Sequence, residues 1–263
     1  MNKIGFIGVG NMGSAMLRGM IERGALAAGD VATYDADARK CAALAEELGV
    51  GIAADAKALA GVCDLVVLAV KPDIAPAVLE ELRPALTGAK NVLSVVLGLD
   101  INTIVGLTGG HCRVIRCMPN MPALIGAGMM CVSFGSGFNQ SEKGRICALL
   151  SACGAVEVME EKYLRRVTAL TGSSPAYVFI MLEAMSDAAV RNGLPRALAL
   201  KLAAQAVLGS AKMALESGRH PASLKDDVCS PAGSTIEAVR VLEERGFRSA
   251  LIEAMIACDD KSK

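Results

Sequence analysis

The sequence predicts two domains: a doubly wound α/β domain over residues 1–159 and an all-helical domain over residues 160–263. Three observations predict this. Short apolar runs alternate with amphipathic stretches through the first half, the signature of a parallel sheet covered on both faces. From about residue 160 the strand-like runs stop. And 263 residues is too long for one comfortable core, at roughly 100–200 residues per domain.

The strands are expected at residues 3–7, 31–34, 65–69, 91–96, 113–118, 129–133 and 155–159, with helices between them such as 38–48 and 74–82. In the second half, residues 173–192 read as a helix with Glu183, Asp187 and Arg191 on one charged stripe. Gly193 is a stop signal and Pro195 a start signal for the next helix, 196–217. On that helix Lys201, Lys212 and Glu216 share one narrow sector, and leucines, alanines, Val207 and Met213 cover the rest. A helix apolar almost all round must be buried almost all round. About a hundred residues are too few to bury it, so further copies of the chain are expected to cover it. A further helix is expected at residues 236–245.

Composition removes several classes of function. Lys plus Arg and Asp plus Glu are 27 each, so no electrostatic case exists for a nucleic-acid partner or a polybasic membrane anchor. The chain is 53% hydrophobic with a mean hydropathy of +0.44, yet only 3% aromatic and without Trp, so its apolar content is small and aliphatic. The longest uncharged stretch, 117–141, carries Pro119, Asn120, Pro122 and a series of glycines, which rules out a single lipid-exposed helix there. The N-terminal MNKIGFIGVGNMG breaks its apolar run with glycines and does not read as a signal peptide, so a soluble cytoplasmic protein is expected. Nine cysteines without a C-x-x-C pair, beside only His111 and His220, read as reduced, mostly buried thiols and give no metal site.

Gly8-Val9-Gly10-Asn11-Met12-Gly13 is G-x-G-x-x-G, directly after a strand and before a helix. Such glycines permit a tight turn and close backbone approach to a dinucleotide pyrophosphate, which then sits at the helix N-terminus. Asp35 ends the second strand, where a carboxylate would bond the adenosine ribose hydroxyls and favour NAD. Arg39 could offset that charge by reaching a 2′-phosphate. Ala69-Val70-Lys71-Pro72 runs off the next strand at the carboxyl edge of the sheet, placing Lys71 near the nicotinamide ribose. Asn120, between two prolines, has the donor and acceptor to orient a cofactor amide or substrate, or to cap its own turn. Ser230-Pro231-Ala232-Gly233-Ser234-Thr235 opens a helix whose free N–H groups suit a small carboxylate; ordinary Ser/Thr capping is the alternative.

RCMPNMPALIGAGM, TGSSPAYVFIMLEAMSDAAVRNGLPRALA and LKDDVCSPAGSTIEAVRVLEERGFRSALIEA closely resemble the pyrroline-5-carboxylate reductase family, and the likeness runs from GFIGVGNMG through nearly the whole chain. The resemblance implies an N-terminal Rossmann-type domain and a C-terminal helical domain that interlocks with its twin in a homodimer, assembled further into rings. It implies reduction of the cyclic imine 1-pyrroline-5-carboxylate to L-proline, the last step of proline biosynthesis, with NADPH or NADH. Carried over, Gly8 to Gly13 and Ala69 to Pro72 are cofactor motifs. Ser230, Gly233, Ser234 and Thr235 form the substrate loop, with Thr235 and Ser230 at the reacting imine. Two departures stand out. Ala232 replaces the first glycine of the family's usual loop and would be strained if that position needs φ > 0, although activity is expected to survive. Asp35 stands where the family more often carries Ser, Asn or Thr, which weakens the expectation of NADPH over NADH. A β-hydroxyacid dehydrogenase would need a lysine on the first long C-terminal helix, and residues 163–200 contain none.

Overall fold

The computed structural model describes residues 3–88 and 90–261, and its chain divides into two compact units, one running to Ser173 and the other Ser174–Lys261. The first unit holds strands β1 (Ile4–Ile7), β2 (Val31–Tyr34), β3 (Gly51–Ile52), β4 (Leu65–Leu68), β5 (Asn91–Ser94), β6 (Arg113–Met118), β7 (Gly128–Phe134) and β8 (Gly154–Val158). Its helices are α1 (Asn11–Glu22), α2 (Ala38–Leu48), α3 (Ala56–Val62), α4 (Ala75–Leu82), α5 (Ile101–Leu107), α6 (Gln140–Ser151) and α7 (Glu161–Leu164). The second unit holds α8 (Ser174–Arg191), α9 (Arg196–Ser217), α10 (Pro221–Val228), α11 (Ser234–Glu244) and α12 (Phe247–Lys261), and among its described residues there is no strand.

The eight strands form one sheet in the order β3-β2-β1-β4-β5-β6-β7-β8. The chain winds outward from β1 through β2 to β3, then crosses back to β4, so β1 and β4 flank the switch point where ligands of open α/β sheets sit. Alternation along the central strands sends side chains to both faces. Leu65 and Val67 of β4 join Met16, Leu17 and Met20 of α1 in one core, while Val66 and Leu68 join Leu59 of α3 and Leu79 of α4 in the other. Every residue of β1 and β4 is buried, as continuous apolar strands in a doubly covered sheet require.

One expectation changes. The sheet is not parallel throughout: β7 runs antiparallel to β6, with Met118 opposite Cys131, and β8 then pairs with β7 in parallel. The compact first unit runs to Ser173, with Leu164 of α7 buried against Met118 and Cys131.

Helix signals act where the sequence places them. Gly193 adopts a positive φ of 96° after α8, and Pro195 is the N-cap of α9. Within the second unit α9 is largely uncovered: Leu202 is 51% and Leu208 61% exposed. By length and composition alone α9 is also the one described helix able to cross a membrane.

No disulfide joins any of the nine cysteines, and six are buried, with Cys147, Cys229 and Cys258 partly accessible. Burial pushes the Cys153 thiol up to about 11 and Cys117 well above the ordinary thiol range. A thiol reagent added to the native protein is therefore expected to label no more than three cysteines quickly, and all nine after denaturation. Because the folded value of Cys153 lies above its unfolded one, its contribution to stability is intact below pH 9 and is lost as pH rises through 11. Chemical denaturation across that range is expected to show a fall of about 2–3 kcal/mol from this group.

Candidate active site

The glycine turn follows β1 directly. Gly8 has φ of 87°, and a Cβ there would stand 2.7 Å from the Ala69 backbone; one on Gly13 would collide with the Gly8 carbonyl oxygen. Both positions therefore need glycine for the fold itself. Gly10 differs: it is the N-cap of α1 without any side-chain cap, and a Cβ on it would meet nothing within 4 Å. The first N–H groups of α1 thus face open space beside a residue with no side chain, a cradle that fits a pyrophosphate. Asn11 is exposed at the first turn, whereas Met12 turns back to pack on the core beneath α1.

A cavity of about 290 Å³ opens here, at the carboxyl ends of β1, β2 and β4. Gly8 and Gly10 line it from β1, Asp35 and Lys40 from the β2 side, and Ala69, Val70 and Lys71 from β4. Pro72 is exposed just past this wall and is not part of the lining. A larger cavity, about 860 Å³, lies around Arg113 at the opposite edge, where the Arg113 guanidinium is already engaged by Glu142 and Asn91.

Asp35 is braced as well as exposed to the cavity. One carboxylate oxygen accepts the Val9 N–H at 2.9 Å, and the other accepts the Asp37 N–H at 3.0 Å and lies 3.5 Å from the Lys40 ammonium. Arg39 does not reach the cavity. Its guanidinium pairs with Asp37, the N-cap of α2, and holds that carboxyl below its ordinary range. Lys40, one residue on and about 100° further round the helix, supplies the cation instead. Replacing Asp35 with Asn is expected to raise the ratio of kcat/KM for NADPH over NADH about tenfold, since a charge facing a 2′-phosphate is removed. Steady-state kinetics with both coenzymes checks this, and an unchanged ratio would count against a role for Asp35 in coenzyme choice.

Asn120 is spent on structure. Its side-chain oxygen accepts the Met129 N–H at 2.8 Å and its amide donates to the Thr171 carbonyl at 2.9 Å, so it clamps the loop after β6 to a π-helical turn, Thr168–Gly172. Both amide functions expected to orient a cofactor or substrate thus face protein. The sequence reading passed over the π turn itself, which is frequently a functional feature and whose Thr168 hydroxyl is the one buried polar side-chain atom without a partner among the described residues. No sequence signal marks it, because its partners lie far along the chain.

In the second unit, Ser230 to Gly233 form a turn closed by the Gly233 N–H donating to the Ser230 carbonyl at 3.0 Å. A Cβ on Gly233 would collide with the Ser230 hydroxyl. Gly233 is the N-cap of α11 and offers no side-chain cap, so the N–H groups of Ser234 and Thr235 are presented at a helix N-terminus, with the Thr235 hydroxyl beside them. Ordinary Ser/Thr capping is thereby set aside. Ala232 has φ of 57° and is the only non-glycine residue with positive φ among those described, so the strain foreseen for this departure is real, at about 1–2 kcal/mol. No group of three or more metal-ligating side chains comes together among the described residues.

A glycine turn at the switch point of a doubly wound sheet, with its second glycine left open, defines a dinucleotide-binding protein. Known proteins sharpen that class. A family model for pyrroline-5-carboxylate reductase dimerisation matches residues 161–263, and one for coenzyme F420-dependent NADP oxidoreductase matches residues 3–98. Pyrroline-5-carboxylate reductase of Escherichia coli (strain K12) is 46% identical over 99% of this chain and 97% of its own. The crystal structure of Plasmodium falciparum pyrroline carboxylate reductase with NADP bound matches with a TM-score of 0.90 at 32% identity, over 99% of this chain and 97% of that one. That of Coxiella burnetii pyrroline-5-carboxylate reductase matches equally closely, at 0.90 and 33%, with the same coverage. The chain belongs to the pyrroline-5-carboxylate reductase family.

Proposed function

We infer that the protein reduces 1-pyrroline-5-carboxylate to L-proline, with NADPH as reductant and NADH as a possible substitute, and so closes proline biosynthesis. The observation that carries this reading is the coexistence of an open dinucleotide cradle at Gly8–Gly13 with an uncapped helix start at Gly233. The nicotinamide cofactor supplies the hydride, and the chain's own residues bind and orient. Gly8, Gly10, Asn11, Met12 and Gly13 present backbone and the start of α1 to the pyrophosphate. Asp35 and Lys40 meet the adenosine ribose, and Ala69, Val70, Lys71 and Pro72 form the wall toward the nicotinamide ribose.

In the substrate loop, the Ser234 and Thr235 N–H groups bind the carboxylate, an arrangement favoured by the helix N-terminus. The Thr235 hydroxyl orients the ring nitrogen and helps deliver its proton, directly or through water, with Ser230 beside it. An alcohol of ordinary pKa is a poor acid, so orientation is its main contribution. Thr235→Ala is expected to lower kcat by about 10–100-fold while leaving the KM for NADPH within twofold. Following NADPH oxidation dependent on added imine checks this, and undiminished turnover at saturating imine would sink the assignment.

The dimerisation model over residues 161–263 supports oligomerisation. The uncovered apolar face of α9 supports the finer reading, a homodimer through the C-terminal helices that assembles further. With no net charge and no polymer-binding surface in its composition, the enzyme acts on a small molecule in the cytoplasm, without a nucleic-acid or membrane partner.

A further inference from the structure

A second cavity of about 610 Å³ opens on the same sheet edge as the cofactor cavity. Leu97 and Gly98, which follow β5, line it, whereas Ala69 to Lys71, which follow the adjacent β4, line the cofactor cavity. A dinucleotide laid across the switch point from β2 toward β4 directs its nicotinamide end at this neighbouring opening. The second cavity is cationic, with Arg116, Lys162, Arg165 and Arg166 facing Asp100 and Glu161.

Each carboxylate has one oxygen engaged within the fold. Glu161 accepts the Arg116 guanidinium at 2.9 Å and the Ile101 N–H at 2.7 Å, and Asp100 caps α5 by accepting the Thr103 N–H at 2.6 Å. Lys162 pairs with Glu160 at 2.7 Å. Arg165 and Arg166 are exposed, and neither guanidinium has a carboxylate partner among the described residues. Arg166 also stands close enough to Lys162 to oppose its charge, a repulsion that runs against the larger pull of Glu160. The cations of this wall outnumber its carboxylates, and the two unpaired guanidinium groups leave a local excess of positive charge that suits an anion.

We propose that this cleft, through Arg165 and Arg166, captures the carboxylate of the incoming imino acid by electrostatic attraction and raises its concentration at the nicotinamide edge; the proposal rests on the functional reading above. The chain as a whole carries no net charge to steer an anion, so the steering has to be local. The class of ligand is a small carboxylate, held loosely by exposed guanidinium groups and released onward.

The test compares the wild type with Arg165→Gln/Arg166→Gln and Arg165→Lys/Arg166→Lys, at saturating NADPH and mildly alkaline pH so that the imine nitrogen is uncharged. At low ionic strength the Gln pair is expected to lose about fivefold in kcat/KM for pyrroline-5-carboxylate, and the Lys pair to lose less than twofold. At high salt all three are expected to converge, because exposed charges are screened beyond about 3 Å at 1 M. An undiminished kcat/KM for the Gln pair at low salt overturns the proposal. So does a loss that persists at high salt or is shared by the Lys pair, since either points to packing rather than charge. A wild type inert toward the imine would overturn the functional reading, and this proposal with it, a result distinct from the others.

Discussion

Gly10→Val is expected to leave the fold standing and to weaken NADPH binding by at least about a hundredfold, roughly 3 kcal/mol. The asymmetry among the three glycines makes this informative. A side chain on Gly8 or Gly13 strikes the chain's own backbone, at Ala69 and at the Gly8 carbonyl respectively, so Gly8→Ala and Gly13→Ala are expected to lower Tm as well as activity. A Cβ on Gly10 meets nothing within 4 Å and stands in the space at the start of α1. Lost binding there reports on the cofactor alone. Thermal unfolding separates the two outcomes, and a titration of NADPH fluorescence measures the affinity, helped by the absence of Trp from the chain. Wild-type affinity in Gly10→Val would remove the pyrophosphate from this turn.

Leu202→Glu combined with Leu208→Glu is expected to dissociate the oligomer and to abolish activity. Both leucines are more than half exposed on α9 within their own unit, as are Leu215 and Met213. Burying each such side chain stabilises an interface by about 1.5–3 kcal/mol, and an apolar surface this extensive is not left to water. Carboxylates at these two positions, about 120° apart round the helix, reverse the sign of the contact on both exposed sides. Sedimentation velocity is expected to show a monomer with kcat reduced more than about a hundredfold, and the monomer is expected to precipitate on warming. A double variant that sediments as the wild type and keeps its turnover would place the interface elsewhere. Lys201, Lys212 and Glu216 argue against lipid as the occupant, since a charged side chain at the bilayer centre costs about 2.5–3.5 kcal/mol or more.

Most of the first unit was legible because its strands are continuous apolar runs, a pattern that survives without tertiary information. The reversal at β7 was legible too, though unread: only residues 119–127 separate β6 from β7, too few for the dozen or more residues that a parallel crossover requires. Two-residue β3 gave no periodicity to detect. The glycine turn after β1, Asp35 just past β2 and the Ser230–Gly233 turn before α11 are local features, and each stands at the element boundary that the spacing marks. Arg39 and Asn120 show where local reading ends. Arg39 was drawn off by Asp37 two residues earlier, and Asn120 by a carbonyl at Thr171, far along the chain. The first unit likewise runs to Ser173, with α7 held by β6 and β7 rather than by its sequence neighbours.

Asp35 joins two properties that protein engineers treat as separable. The carboxylate proposed to meet the adenosine ribose is also the strut receiving the Val9 and Asp37 N–H groups, so it braces the glycine turn from outside. A neutral residue there trades coenzyme selectivity against the rigidity of the turn. Lineages or libraries that change coenzyme are therefore expected to leave residue 35 alone at first and to accumulate changes at Ala36 and Lys40, where the cavity wall can be recharged without cutting the strut.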